Sequence, residues 1–322
     1  MSDTTRISWT DATLNPIYGC SRVSAGCTNC YAEQVVASLP RKFEAKNKAA
    51  FEFYSGLTRD TPNGPRWTGV VKLHREHLRQ PLGWQIPKKI FVNSLSDVFH
   101  ENVPRDFIVE IFSMMALAHW HTFQVLTKRP ERMQQLLSEQ TFIDDVIFAA
   151  SLQNSNHKHE RNKRLGKNHP GLSWPLKNVW LGVSVENQKA ANERVPLLIK
   201  TPATIRFLSC EPLLEGVDLR GLLGLCYGCQ TCGFVTGHLM GPERSPIHWA
   251  IIGGESGAGF RPMKSEWALN LKHQCIQAGI AFYFKQDADQ KAGQRPYLVE
   301  KNGDAYYWRQ FPGEMTDPQE LI

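Results

Sequence analysis

The stretch Ile90-Phe91-Val92-Asn93-Ser94-Leu95-Ser96-Asp97 passes from consecutive apolar side chains to a polar, turn-forming end. A short uninterrupted apolar run is the signature of a strand buried on both faces, as in a parallel sheet. The same passage from apolar to polar recurs down the chain. Thr122-Phe123-Gln124-Val125-Leu126 ends in Thr127-Lys128-Arg129, and Val179-Trp180-Leu181-Gly182-Val183 ends in Ser184-Val185-Glu186-Asn187. Thr204-Ile205-Arg206-Phe207-Leu208 leads to Ser209-Cys210-Glu211-Pro212, Trp249-Ala250-Ile251-Ile252 to Gly253-Gly254-Glu255-Ser256-Gly257, and Ile280-Ala281-Phe282-Tyr283-Phe284 to Lys285-Gln286. Helical patterns separate these runs. Phe107, Ile108, Ile111, Phe112, Met115 and Leu117 share one apolar face behind Pro104, and Pro130 opens a helix over 131–137. Further helices are expected over 188–199 and 266–278. Strands alternating with helices predict an α/β fold of parallel units, wound into a complete or partial (β/α) TIM-like barrel or an open sheet. In a barrel the strand C-termini share one face, where sites are built. The polar strand ends are therefore expected to converge, although each taken alone also suits the cap of the following helix.

Upstream lies a second informative stretch, Gly19-Cys20-Ser21-Arg22-Val23-Ser24-Ala25-Gly26-Cys27-Thr28-Asn29-Cys30-Tyr31-Ala32. Its spacing, Cys-x6-Cys-x2-Cys, supplies three thiolates and no fourth. Structural zinc closes its shell with four protein ligands, whereas a metal that does chemistry keeps a position open. Iron-sulfur clusters also usually take four thiolates, so a cube held by three would expose one iron to a small molecule. Before this loop come a short apolar segment, Ile7-Ser8-Trp9, and a turn at Asn15-Pro16. After it, one or two helices are expected from Tyr31 to about Phe53, interrupted near Pro40, and a weakly alternating strand over 68–73.

A second group, Cys226, Cys229 and Cys232, again offers three thiolates, with His238, Cys210 or His248 available as a fourth ligand. It reads as a structural zinc knuckle, as an auxiliary iron-sulfur cluster, or as unligated thiols in a surface insertion. Cys275, inside a helical pattern, reads as core.

With 322 residues, 42% of them hydrophobic, the chain can bury a sizeable core as two average domains or one barrel. A barrel over 1–286 is expected, interrupted by a basic insertion at about 154–177 and a cysteine-rich insertion at about 215–247. A polar, loop-rich extension over 287–322 would follow. No apolar run approaches the roughly 18 residues of a membrane span, and Met1-Ser2-Asp3-Thr4-Thr5-Arg6 lacks an apolar signal region. A cytoplasmic protein with no membrane partner is expected, in which eight cysteines are thiols or metal ligands rather than a disulfide framework. The net charge of +6 favours an anionic partner. Much of it sits in residues 156–169, a run that suits a loop tracking nucleic-acid phosphates or, equally, a solvated insertion.

Taken together, the cysteine loop, the strand order and the strand ends resemble the radical S-adenosylmethionine enzymes. More narrowly, Trp9-Thr10-Asp11-Ala12-Thr13, Asn93-Ser94-Leu95-Ser96-Asp97-Val98-Phe99-His100, Leu126-Thr127-Lys128-Arg129-Pro130, Gly182-Val183-Ser184-Val185-Glu186 and Gly253-Gly254-Glu255-Ser256-Gly257 resemble a phage- and prophage-associated family of uncharacterised three-cysteine-motif proteins. A more distant likeness is to spore photoproduct lyase. The resemblance implies a four-iron, four-sulfur cluster on Cys20, Cys27 and Cys30, S-adenosyl-L-methionine as cofactor, and an electron donor such as flavodoxin or ferredoxin. It also implies a DNA, RNA or nucleotide substrate, to be repaired or modified. Ser96 with Asp97, Thr127 with Lys128, and Ser184 with Asn187 match the lyase pattern. Ser96, Lys128 and Ser184 would thereby meet the cofactor's ribose or carboxylate, and Ser94 and Asn187 would lie beside them. Glu211 and Glu255 would bond ribose or substrate, with Gly253 and Gly254 allowing close backbone approach. Tyr31 would face adenine or shield the cluster, and Asp97 and Glu186 would contact substrate. The lyases carry a hydrogen-donating cysteine where Ser94 stands, so the shared cofactor chemistry is what the likeness implies here. Two other readings stay open: a zinc-stabilised nucleic-acid-binding protein without enzymatic activity, and a radical enzyme that modifies a peptide or protein.

Overall fold

Seven strands carry the parallel part of the fold, and six of them are the apolar runs described above. The computed structural model describes residues 5–156, 172–226, 238–239, 245–300, 302–314 and 319–320. The chain divides into two units: Met1–Val23, Cys30–Trp180 and Thr201–Thr204 form the first, and Ser24–Asn29, Leu181–Lys200 and Ile205–Ile322 the second.

In the first unit, strands β1 (Ala12–Leu14), β2 (Lys89–Val92) and β3 (Thr122–Thr127) lie side by side in that order. They run parallel, with Ala12 beside Ile90 and Ile90 beside Phe123. The helix Arg105–Leu117 connects β2 to β3 and packs against the helix Gln140–Asn156. Its apolar face buries Phe107, Ile111, Phe112 and Met115, as the periodicity requires. Each such side chain, removed from water, contributes about 1.5–3 kcal/mol.

Strand β4 (Val179–Ser184) begins in the first unit and continues into the second, where β5 (Ile205–Cys210), β6 (Trp249–Gly253) and β7 (Ala281–Gln286) follow in spatial order. Trp249 of β6 stands between Phe207 of β5 and Ala281 of β7 in parallel register, and the register slips at Ile252/Gly253. The helix Gln188–Lys200 links β4 to β5, and Ser265–Gln277 links β6 to β7. The core of this unit is aromatic: Trp249, Phe207, Phe282, Tyr283 and Phe284 are all buried.

Local details refine the expectation. The helix Tyr31–Phe43 includes Pro40 and stops three residues after it, and a second helix, Lys48–Tyr54, follows, so the interruption falls just past the proline. Residues 68–73 are not one strand. Arg66–Trp67 pairs with Thr58–Arg59, and Lys72–Leu73 pairs with Ile17–Tyr18. The tail is mostly turns and irregular backbone among its described residues, and within it Leu298–Val299, Ala305–Tyr307 and Gln319–Glu320 form a small antiparallel sheet. Beside it the tail backbone joins β7, with Phe284 N donating to Trp308 O at 2.8 Å and Gln310 N to Phe282 O at 3.1 Å. Cys275 is buried, as core should be. Residues 157–171, which include all of the basic run 156–169 except its first residue, lie outside the described residues, as do Cys229 and Cys232. Cys226 ends a short strand whose backbone pairs it with His238. Among the described residues, no helix is long and apolar enough to cross a membrane.

Candidate functional site

In the first unit the end of β2 is fixed residue by residue. Asn93 N donates to Leu14 O at 2.8 Å, and Asn15 Oδ1 accepts from Ser94 Oγ at 3.1 Å and from Leu95 N at 3.2 Å. Ser96 Oγ donates to Ile17 O at 3.0 Å, and Tyr31 Oη donates to Ser94 O at 2.7 Å. Both serine hydroxyls therefore hold the turn that follows the strand, and half-exposed Tyr31 ties that turn to the residue after Cys30.

Asp97 is a buried acceptor. Its carboxylate receives Thr127 Oγ1 at 2.7 and 2.9 Å, Lys128 N at 3.0 Å, Phe99 N at 2.9 Å and Arg129 Nη1 at 3.2 Å. The Lys128 backbone thus meets Asp97, and its side chain is half-buried. Arg129 carries the connection onward to the cysteine loop. Its Nη2 donates to Ser21 Oγ at 2.7 Å, its Nη1 stands 3.8 Å from Cys20 Sγ, and its Nε donates to Glu101 Oε2 at 2.8 Å. Burial works against the guanidinium charge, but Asp97, Cys20 and Glu101 outweigh it and push the Arg129 pKa up. Burial also opposes ionisation of Glu101, yet its own backbone N–H and Arg129 pull it down to about 2. His100, buried and close to Arg129, is held below the usual histidine range, and its Nε2 lies 3.0 Å from Ser21 Oγ.

Cys20 and Cys30 pack at the margin of an apolar cluster formed by Tyr18, Ala32, Val36, Tyr54, Leu57 and Trp67. Gly19 precedes Cys20 at φ +93°, where a Cβ would stand 2.1 Å from Val70 O, so only glycine fits. Cys30 caps the helix Tyr31–Phe43, whose first turn carries the buried Glu33. That carboxylate takes Arg22 Nη2 at 2.6 Å, Trp67 N at 2.9 Å and Arg66 Nη1 at 3.6 Å.

In the second unit, Cys27 closes a short 3-10 turn, Ala25–Cys27, with Ser24 Oγ 3.9 Å from its sulfur. Glu255, beyond β6, holds this part of the loop. It receives Asn29 Nδ2 at 2.9 Å, Arg261 N at 2.8 Å and Arg261 Nε at 2.9 Å, while Arg261 Nη1 donates to Ala25 O at 3.1 Å. Burial opposes its ionisation, and the Arg261 and Asn29 donors override that to lower its pKa. Glu186 is buried against Arg194, with Nη1 2.8 Å from Oε2, and the same Nη1 donates to Ser184 O at 2.8 Å. A Cβ on Gly26 would lie 3.1 Å from Glu186 Cδ, so the loop passes close over this carboxylate. Asn187 Oδ1 accepts from Ala190 N at 2.9 Å, as the cap of the following helix.

Glu211 is held more loosely than the other three carboxylates. Ser209 Oγ donates to its Oε2 at 3.3 Å, and Lys285 Nζ lies 2.9 Å from Oε1 as an ion pair without hydrogen-bond alignment. The space above β6 is kept by glycine: a Cβ on Gly253 would meet Glu211 Oε1 at 2.8 Å, and one on Gly254 would meet Ala288 N at 2.2 Å. Gly254 is therefore a packing requirement as much as a route to a ligand.

Each residue expected at a strand end is thus at a strand end. What the sequence did not disclose is the set of arginines that closes the carboxylates, Arg129, Arg194 and Arg261, together with Asn29, Glu101 and Lys285. Arg129 belongs to the motif Leu126 to Pro130, and its position directly after Lys128 is the available signal. Among the described residues, no group of three or more His, Cys, Asp or Glu side chains is arranged to hold a metal ion.

Fold and site together define a mixed α/β protein of parallel β/α units whose strand ends carry carboxylates clasped by arginines. Residues 4–317 match a family described as protein of unknown function, DUF5131, and the chain belongs to that family. No curated protein and no solved structure matches the chain.

Proposed function

We propose that the protein is a radical S-adenosylmethionine enzyme acting on DNA, RNA or a nucleotide, with Cys20, Cys27 and Cys30 as ligands of a four-iron, four-sulfur cluster. In this reading the parallel β/α units belong to a complete or partial barrel. The observation that carries it is a contrast among the cysteines. Cys210 and Cys275 are fully buried, and burial pushes both thiols up, which makes them inert. Cys20, Cys27 and Cys30 are half-buried, and Cys20 faces an Arg129 N–H that favours anionic sulfur. By residue type such donors suit a soft metal or a cluster, although among the described residues they are not gathered around a metal position.

If bound, cluster and cofactor would supply reductive cleavage of S-adenosylmethionine, with the electron coming from a flavodoxin- or ferredoxin-type donor, and through it the removal of a hydrogen atom from substrate. This chain's residues hold and orient. Lys128 offers its ammonium to a carboxylate. Glu211, with only one oxygen in a hydrogen bond, is the strand-end carboxylate best able to accept from a ribose hydroxyl. Asp97, Glu186 and Glu255, closed by their arginines, serve as supports that fix the backbone around them.

Anaerobic purification with iron and sulfide analysis, followed by reduction with S-adenosylmethionine, tests the reading. Iron, sulfide and released 5'-deoxyadenosine are expected, and Cys27→Ala is expected to remove the cluster's absorption. A protein that holds only zinc, or releases no 5'-deoxyadenosine, would sink the proposal and favour a zinc-stabilised binding protein.

A further inference from the structure

Asn93 combines two features that ordinary packing does not require. Its backbone sits at φ +62°, in the left-handed region that side-chain-bearing residues rarely enter. Its side chain is buried, at 2% exposure, and neither Oδ1 nor Nδ2 has a hydrogen-bond partner. Leaving a buried polar atom unpaired costs about 1–3 kcal/mol, so both ends of one carboxamide unpaired calls for an explanation. Disorder of the turn is not that explanation, because the backbone at Asn93 and the residues from Ser94 to Asp97 are each hydrogen-bonded to fixed partners. A strained residue held in place by its surroundings, with its functional group unpaired, is the pattern of a preorganised ligand contact.

A second buried amide lies on the neighbouring strand. Gln124 of β3 is fully buried, donates from Nε2 to Trp9 O at 3.3 Å, and leaves Oε1 without a partner. The register places Gln124 beside Phe91, two residues before Asn93, and Phe91 packs against Trp9 with ring centroids 4.7 Å apart. Gln124 turns toward Trp9, at the start of the strands, so it does not share the strand end with Asn93, whose unpaired amide stands alone after Val92. A charged ligand group would find no unpaired charge in that amide. A planar heteroaromatic ring with a donor and an acceptor side by side fits the Asn93 carboxamide, in the way Asn reads a base edge.

We infer that Asn93 reads the edge of a nucleobase. The inference rests on the proposed function only for the origin of that base, which is the adenine of the cofactor or a base of the nucleic-acid substrate. Asn93→Gly is the informative variant, because glycine keeps the φ +62° backbone without strain and deletes the whole side chain, carboxamide included.

Binding of adenosine, S-adenosylhomocysteine and a short single-stranded oligothymidine to the full chain should be measured by calorimetry, alongside the Tm of the ligand-free protein. The wild type is expected to bind at least one probe. Asn93→Gly should weaken that binding about 10- to 100-fold, with Tm unchanged or raised. Loss confined to the two adenine probes assigns the site to the cofactor, and loss confined to oligothymidine assigns it to the substrate. Wild-type affinity in Asn93→Gly, or no binding of any probe by the wild type at about 1 mM, overturns the inference. Iron content separates the two proposals. A protein with a cluster whose probe binding ignores Asn93 loses only this inference, and an iron-free protein whose adenosine binding depends on Asn93 loses only the radical reading.

Discussion

Both units end a strand on a carboxylate clasped by an arginine, and in both the arginine reaches on to part of the cysteine loop. In the first, Asp97 and Arg129 connect to Ser21 and Cys20. In the second, Glu255 and Arg261 connect to Ala25, and Glu255 also to Asn29. The devices differ in burial. The Arg129 and Asp97 side chains are 10% and 8% exposed, whereas Arg261 is 32% exposed over a Glu255 at 4%. A fully enclosed pair behaves as part of the core, and a pair open on one side behaves as an adjustable latch.

The largest effect that can break this comparison is Asp97→Ala. It removes the enclosed partner of Arg129, leaving that guanidinium to the exposed Glu101 and to Ser21, and frees Thr127 Oγ1 and two backbone N–H groups, so a loss of about 3–5 kcal/mol is expected in urea unfolding. A loss no greater than that of a surface variant would mean that the two clasps are equivalent. Arg261→Ala should cost less, about 2 kcal/mol, since Asn29 and a backbone N–H still serve Glu255 and solvent screens the site. Its clearer signature would be faster proteolysis within residues 24–29 at unchanged cleavage elsewhere.

The smallest effect is on pH dependence, and it sharpens the contrast within the first unit. Glu101, normally near 4.5, is pulled down to about 2, so the stability it lends is complete above about pH 4.5 and is lost as pH falls toward 2. His100 is also depressed, below 6.5, mainly by burial and then by Arg129. Its neutral form is the one the fold accepts, so acidification below pH 6.5 likewise erodes stability. Thermal unfolding from pH 7 to 3 should show a shallower decline in Glu101→Gln than in the wild type. Identical profiles would remove Glu101 from the account.

Legibility followed the range of the interactions. The six apolar runs became β2 to β7 nearly at their expected limits, because burial on both faces writes itself into consecutive residues such as Trp249 to Ile252. β1, only Ala12–Leu14, is too short to show a pattern, and its place is set by β2 beside it. The tail looked polar because its strands pair along backbone, where composition leaves little trace. The candidate site divides the same way. Strand-end position could be read for Asp97, Glu186, Glu211 and Glu255, but whether an arginine closes each of them is a tertiary fact. Arg194 lies eight residues after Glu186 and Arg261 six after Glu255, and neither spacing is a recognisable signal. Asn93 belongs to the motif Asn93 to His100, but its left-handed backbone and unpaired carboxamide are visible only in three dimensions.

The Glu33 clasp has a practical corollary for handling the protein. Glu33 is 1% exposed between Arg22 and Arg66, whereas a pair such as Lys48 and Glu52 is open to solvent at 90% and 63%. Dissolved ions screen the open pair and scarcely reach the enclosed one. High-salt chromatography can therefore strip adventitious nucleic acid from this basic chain while the anchor behind Cys30 stays shut.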